Sequence, residues 1–264
     1  MNGTIIDLSL WDLVSVYGLL LLSVGLSRLL DARQGRDILW SGARMFVQLL
    51  VVGYVLHLVF ALKTPWSVIA ILLVMGGFAV QTIGSRVKEK MPHFYRVVSL
   101  AIFCGCGGMT FLFCSLVVGL TPWYDPRYLI PLTGMIIGNS MTGASLAAER
   151  LAAEFRERHD EIETILCLGG TPRMAATPAV RNAFQAALIP AVNAMAAMGL
   201  VFLPGMMTGQ ILSGTEPLIA VRYQIAIMCV ITASVALTTF IILKVGYRAY
   251  FTPFQSLRES SSTG

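Results

Sequence analysis

The sequence predicts an all-α membrane protein, a polytopic bundle of about seven transmembrane helices. Of its 264 residues, 56% are hydrophobic and 12% are charged, whereas about a quarter of the residues in a soluble domain are charged. Several apolar runs also approach or exceed the roughly 20 residues that a helix needs to cross a bilayer. Helices are expected because each satisfies its own backbone hydrogen bonds in lipid, and no period-two pattern indicates a barrel.

Seven apolar runs are predicted to span the membrane within a single transmembrane domain, residues 1–264. In chain order, they cover residues 13–30, 45–62, 66–83, 97–120, 128–148, 183–204 and 223–245. The first run is expected to remain in the protein, because Asp7 and Asp12 stand where a signal peptide carries basic residues. Gly, Pro and Asn in the fifth and sixth runs make their ends the hardest to place.

The lysines and arginines predict the orientation of this bundle. With the N-terminus outside and the C-terminus in the cytoplasm, sixteen of the nineteen fall on the inner side, as expected for residues that resist translocation. The three on the outer side are Lys63, Arg127 and Arg222. The net charge of +5 therefore follows from topology, and nothing in it indicates a nucleic-acid partner.

Motifs for soluble enzyme chemistry are absent from the sequence. It holds no G-x-x-x-x-G-K-[ST] phosphate loop, no H-E-x-x-H, no C-x-x-C and no G-x-S-x-G. The three histidines fall in different segments, and Cys104 and Cys106 are expected on opposite sides of one helix. We therefore expect neither ATP hydrolysis nor a resident cofactor in this chain.

A charged segment, residues 149–182, separates the fifth and sixth apolar runs on the predicted inner side. Its first part has the pattern of an amphipathic helix continuing from the fifth run. Gly169 and Gly170 predict the end of that helix, and Thr171 and Pro172 predict the start of a short one over residues 172–176. Two interpretations stay open: a helix lying in the lipid headgroups, or a surface that docks onto another protein.

Six stretches of the sequence carry a resemblance to a known family. They are RDILWSGARMFVQLLVVGYVL (36–56), GMIIGNSM (134–141), LCLGGTPRMA (166–175), AALIP (186–190), GLVFLPGMMTGQILSG (199–214) and AVRYQI (220–225). Together they resemble bacterial iron-export permeases of the FetB type, and plant aluminium-sensitivity permeases are similar too. The likeness extends from about residue 37 to residue 251.

This resemblance implies the transmembrane subunit of an ABC transporter in a bacterial cytoplasmic membrane. A separate ATPase subunit, carrying ATP and Mg, would supply the energy, and two copies of the permease would pair. ETILCLG (163–169) is similar to the E-A-A-x-x-x-G loop through which importer permeases contact their ATPase, although the two alanines are absent. The residues implied for coupling are Glu163, Gly169, Thr171, Pro172 and Arg173.

Polar and sulfur-bearing residues within or next to the apolar runs are candidates for a translocation pathway. They are Gln48, Asn139, Asn193, Met206, Met207 and Gln210. Each could instead bond or pack between helices. The run LPGMMTGQ (203–210) predicts a break in the sixth helix, which membranes tolerate only against protein or a wet cavity. Thioether sulfur suits Cu(I) better than Fe(II), so ligand chemistry does not identify the methionine pair as an iron site.

Export of iron or a related metal is the function that the resemblance implies. An ABC permease for a nucleotide sugar is an alternative, although the apolar runs lack the arginines that such a substrate would need. A secondary transporter driven by an ion gradient is a further alternative. It would need an intramembrane carboxylate or inverted repeats, and neither is visible in the sequence.

Overall fold

A computed structural model describes residues 9–30, 35–62, 64–87, 93–252 and 254–258. These residues form nine helices and no strand, which confirms the all-α prediction. The helices are α1 (Leu10–Leu29), α2 (Gly35–Leu62), α3 (Pro65–Arg86), α4 (Phe94–Val118), α5 (Pro126–Glu157), α6 (His159–Cys167), α7 (Pro172–Ala197), α8 (Gly205–Leu212) and α9 (Pro217–Gly246). Four cations used to predict orientation lie outside the described residues: Arg33, Lys63, Lys88 and Lys90.

Four helices of the described chain are long and apolar enough to cross a membrane. They are α2, α3, α4 and α9, the last including a 3-10 turn up to Tyr250. Helix α1 contributes a shorter apolar stretch, Ser15–Leu29. Helices α5 and α7 are long enough but less apolar, so the number of seven spans stays a prediction.

Helix α5 lies at the centre of the bundle, where it packs against α9, α7 and α3. Small residues allow this close approach: a Cβ added to Gly143 would lie 2.6 Å from Val235 Cγ1 of α9. Ser140 and Ser234 share a buried hydrogen bond of 3.0 Å between the same two helices. Because protein surrounds α5, it can contain GNSMTGAS (138–145) where a lipid-facing helix would carry large apolar residues.

Helix α4 contains two π-helical stretches, Phe103–Gly107 and Phe113–Val118. The first brings the chain close to α9, because a Cβ on Gly105 would lie 2.3 Å from Thr238 Oγ1. Cys106 is buried beside Thr238, whereas Cys104 is exposed. The prediction that these two cysteines face opposite sides is thus confirmed.

Two predicted boundaries differ clearly from the structure. Helix α2 begins at Gly35 rather than at residue 45, so Arg36 and Arg44 lie within it. The sixth predicted run extended to residue 204, but α7 ends at Ala197, which confirms an interruption before α8.

The predicted short helix over residues 172–176 is wrong, because α7 continues without a break from Pro172 to Ala197. Its buried face explains this continuity. The residues of that face recur every three or four positions: Ala175, Ala176, Ala179, Ala183, Ala187 and Ala191. This alanine stripe packs along α5, and its burial keeps the helix intact past Pro178 and Pro190.

Candidate functional site

The connection between α6 and α7, residues 168–171, forms a tight turn that we call the elbow. Gly169 has φ = +86°, in the left-handed region that favours glycine. Its N–H donates to Leu166 O at 3.0 Å, and the N–H of Gly170 donates to Ile165 O at 2.8 Å. These bonds satisfy carbonyls at the end of α6, so the predicted glycine stop is present.

The elbow leads directly into α7. Thr171 is the N-cap, its Oγ1 accepting from the N–H of Met174 at 3.3 Å, and Pro172 occupies the first turn. This start was predicted from the sequence and is confirmed. The sequence predicted Gly170 as part of the helix stop but not its close approach to α6: a Cβ there would lie 2.7 Å from Ile165 O, a backbone atom that cannot move aside alone.

The surface of the elbow is apolar at its tip and charged at its flanks. Leu168 is 83% exposed and Met174 is 63% exposed, so the tip presents two large apolar side chains on its surface. Arg173 is exposed beside them. The Glu163 side chain is 54% exposed, with its carboxylate 3.8 Å from His159 Nε2. Four of the five predicted coupling residues thus lie in or next to the elbow, and Glu163 lies five residues, about one and a half helical turns, before it.

A buried carboxylate that the sequence did not single out joins α5 to α7. The Glu154 side chain is 3% exposed and accepts hydrogen bonds from Arg150 and, at 3.0 Å, from Asn182 Nδ2 of α7. Arg158 lies 3.8 Å from its other oxygen. The four-residue spacing of Arg150, Glu154 and Arg158 is visible in the sequence. The contact with Asn182 depends on how α5 and α7 pack.

Arg158 also joins α5 to α6. Its Nε and Nη2 donate to the two carboxylate oxygens of Glu161 at 2.8 and 2.7 Å. The hydrogen bond from Arg158 lowers the pKa of Glu161, and the same bond raises the pKa of Arg158. Both groups are therefore charged at neutral pH. The amphipathic helix that the sequence predicted as a continuation of the fifth run is two helices, α5 and α6, and this ion pair links them at the bend.

The six candidates for the translocation pathway occupy four helices. Gln48 (α2), Asn139 (α5) and Asn193 (α7) are exposed, and the Nδ2 of Asn139 donates to Met135 O at 2.8 Å in its own helix. The other three candidates, Met206, Met207 and Gln210, are half-buried on α8. Among the described residues, no hydrogen bond joins any two of the six, so the structure does not assemble them into one site.

Polar contacts missed by the sequence lie between α9 and the end of α7. Gln224 Nε2 lies 3.7 Å from Met198 Sδ, and Thr232 Oγ1 lies 3.5 Å from Met195 Sδ. The side-chain oxygens of Gln210 and Gln224 are buried without a hydrogen-bond partner in the described part of the chain. Within that part, no group of three or more His, Cys, Asp and Glu could hold a metal ion.

The helical bundle and its apolar spans define the class, an all-helical membrane protein. Residues 10–251 match the family described as Uncharacterised protein family (UPF0014), and the chain belongs to this family of membrane proteins. No solved structure matches the chain.

Three relatives represent the range of the family. UPF0014 membrane protein slr1647 of Synechocystis sp. is 41% identical over 97% of this chain and 99% of its own length. Protein ALUMINUM SENSITIVE 3 of Arabidopsis thaliana is 32% identical over 84% of this chain and 80% of its own. The probable iron export permease protein FetB of Escherichia coli is 32% identical over 82% of each chain.

Proposed function

We propose that this chain is the transmembrane subunit of an ABC transporter that exports iron or a related metal. A separate ATPase subunit, with its own ATP and Mg, would drive the transport, and this chain would have no enzymatic activity. The printed name of the Escherichia coli relative, a probable iron export permease, supports the substrate class. The structural observation that carries the proposal is the elbow with its exposed Leu168.

In this proposal, the elbow transmits movement of a docked ATPase to the helical bundle. Gly169 and Gly170 fix its shape, and α7 continues from it without interruption into the centre of the bundle. The bond between Asn182 and Glu154 ties α7 to α5 near the same end. A rigid-body movement of the elbow would therefore move α7 and α5 together, as alternating access requires.

Glu163, Thr171, Pro172 and Arg173 complete the proposed coupling surface. Glu163 and Arg173 are exposed and of opposite charge, so each can pair with a charge on the ATPase. Thr171 and Pro172 hold the first turn of α7 in place. Local helix termination alone explains Thr171 and Pro172. Contact with lipid headgroups is the alternative explanation for the exposed Leu168 and Met174, and the association test below distinguishes it from docking.

We further propose seven membrane spans in one domain, residues 1–264, with the N-terminus outside and the C-terminus in the cytoplasm of a bacterium. Helices α5 and α7 join the five apolar helices as spans. Their lower hydropathy fits positions surrounded by protein, because α5 contacts α3, α7 and α9. Arg28 and Arg86, in the last turns of α1 and α3, then face the cytoplasm.

The translocation pathway is proposed to pass the break between α7 and α8. Gly199 has φ = +83°, and α8 is only eight residues long. Met206, Met207 and Gln210 lie on α8, and irregular backbone at this depth is tolerated where it lines a cavity. Gln48, Asn139 and Asn193 would face the pathway or the second permease copy of a homodimer.

The coupling proposal predicts that Leu168→Glu abolishes association with the ATPase. A carboxylate at the elbow tip cannot enter an apolar groove on the ATPase without a large desolvation penalty. We expect the variant to insert and fold normally but to lose co-purification with its cognate ATPase. Phe254→Glu, at a similarly exposed apolar residue outside the elbow, is the matched control. Retained association in Leu168→Glu would remove the elbow as the docking surface.

The substrate is tested separately with the reconstituted complex of permease and ATPase. We expect Fe(II) to stimulate ATP hydrolysis and UDP-glucose to leave it unchanged. Stimulation by the sugar alone would replace metal export with nucleotide-sugar transport. Transport by the permease without any ATPase, driven by an ion gradient, would instead show a secondary transporter.

A further inference from the structure

A groove of about 330 Å³ lies between α7 and α9. Its lining comes from one face of each helix, residues 173–184 of α7 and residues 240–247 of α9. Three cations line it, Arg173, Arg181 and Lys244, together with three aromatic residues, Phe184, Phe240 and Tyr247. None of its lining residues is acidic. The proposed coupling surface includes Arg173, but neither that surface nor the proposed pathway accounts for Arg181 and Lys244.

We propose that this groove binds the headgroup of an anionic phospholipid from the cytoplasmic leaflet, with the phosphate between Arg181 and Lys244. The inference uses the proposed inward orientation of the elbow, but it needs neither the ATPase nor any particular substrate. Basic pockets between transmembrane helices at the cytoplasmic side are suited to anionic headgroups. Arginine in particular matches the geometry of phosphate oxygens with two parallel donors.

The order of residues along both helices fits a lipid. On α7, Phe184 follows Arg181 by one turn towards the membrane interior, and on α9, Phe240 precedes Lys244 by one turn. In the proposed topology these helices run in opposite directions, so both aromatic rings lie on the membrane side of the cations. Leu243, one residue before Lys244 on α9, adds to this apolar end. A headgroup phosphate would therefore meet the cations, and the first part of an acyl chain would meet the aromatic side chains.

The charges of the groove are not neutralised within the described part of the chain. There, no carboxylate lies within ion-pairing distance of Arg173, Arg181 or Lys244. Lys244 Nζ lies 5.2 Å from the centroid of the Phe240 ring, a cation–π contact that offsets only part of the charge. Closely spaced cations beside an apolar wall attract an anion, and the bilayer supplies phosphates at this level.

A lipid explains the groove better than a soluble phosphate compound or an acidic protein surface. A soluble phosphate compound would meet the cations equally well, but it has no use for an apolar wall that continues towards the membrane interior. An acidic surface of the ATPase would reach Arg173 beside the elbow. It would not reach Phe184, which lies about 16 Å further along α7 at 1.5 Å per residue.

The test measures lipid retention by the delipidated, full-length chain without its ATPase, using native mass spectrometry. Phosphatidylglycerol and phosphatidylcholine of identical chains are titrated in parallel. We expect the anionic lipid to bind about tenfold more tightly, and equal affinity for the two lipids would overturn the proposal. Because no ATPase is present, this result is independent of whether the coupling proposal holds.

Variants locate the preference within the chain. The double variant Arg181→Gln, Lys244→Gln should bind both lipids equally, while Arg181→Lys, Lys244→Arg should keep the preference. Arg127→Gln, Arg222→Gln removes the same charge from exposed residues outside the groove and should also keep it. The proposal is wrong if the preference survives in the groove variant or is lost in this control.

Competition distinguishes the other occupants. Inorganic phosphate and UDP-glucose, each added at the lipid concentration, should leave phosphatidylglycerol bound. Displacement by either would make the groove a site for soluble phosphate compounds. If the groove variant loses ATPase association but keeps its lipid preference, the groove is a protein-docking surface and the lipid proposal fails.

Discussion

At the scale of single residues, Glu154 joins α5 to α7 at the elbow end of the bundle. Among the described residues, it is the one charged residue that is buried. Its carboxylate accepts hydrogen bonds from Arg150 and Asn182 and lies near Arg158. Removing its partners would leave a buried charge unpaired, and removing the carboxylate would leave buried donors without an acceptor. Either change lowers the stability of the fold.

Glu154→Ala is therefore predicted to destabilise the protein. The amide of Asn182 would lose its acceptor inside the bundle, at a cost of about 2 kcal/mol in the free energy of unfolding. Glu154→Gln keeps one oxygen acceptor and should cost about half as much. Chemical unfolding in detergent micelles measures both, with the exposed Glu149→Ala expected to change little. Equal stability of Glu154→Ala and Glu149→Ala would show that the buried contact is not stabilising.

At the scale of elements, two adjacent glycines of the elbow have different physical requirements. Gly169 needs its positive φ, but a Cβ there would meet nothing within 4 Å. Gly170 lacks space, because its Cβ would lie 2.5 Å from Ile165 Cγ2 and 2.7 Å from Ile165 O. Alanine at Gly169 would adopt an unfavourable backbone conformation without moving the turn. Alanine at Gly170 would clash with Ile165 and force the turn to shift.

We predict that Gly170→Ala impairs coupling more than Gly169→Ala. The strain at Gly169 costs roughly 1–2 kcal/mol and leaves the path of the chain unchanged. At Gly170 the elbow must shift, so ATPase stimulation in the reconstituted complex should fall at least several-fold. Gly53→Ala, in a helix and with open space around its Cβ, is the control. Coupling that is equal in Gly170→Ala and Gly53→Ala would show that elbow shape is irrelevant.

The elbow also shows how far the sequence could predict this element. The stop at Gly169 and the start at Thr171 follow from local backbone preferences, which a single sequence contains. The length of α7 does not follow from local preferences. Its alanine stripe becomes informative only when α5 is known to lie against it. Glu154 was missed for the same reason, since Asn182 is 28 residues away.

At the scale of the whole molecule, membrane topology depends on helices that do not look like spans. Helix α5 is less apolar than α9, yet its buried residues outnumber its exposed ones. Hydropathy measures the tendency of a helix to face lipid, so a helix enclosed by other helices can score low and still cross the membrane. The proposed pathway residues are similarly hard to predict from sequence, because their surroundings depend on the packing of α8 and, in the proposed homodimer, on a second copy of the chain.

Cysteine accessibility tests whether α7 crosses the membrane, because Cys167 lies before it and Ser213 lies after it. Both residues are exposed, and the proposed topology places them on opposite sides. With the other four cysteines replaced by alanine, Cys167 should react with an impermeant maleimide in inverted vesicles only. Ser213→Cys in a cysteine-free background should react in right-side-out vesicles only. Labelling of both residues from one side would mean that α7 does not span the membrane. If the two labelling patterns were exchanged, the orientation would be reversed, and the elbow would lie outside, beyond the reach of a cytoplasmic ATPase.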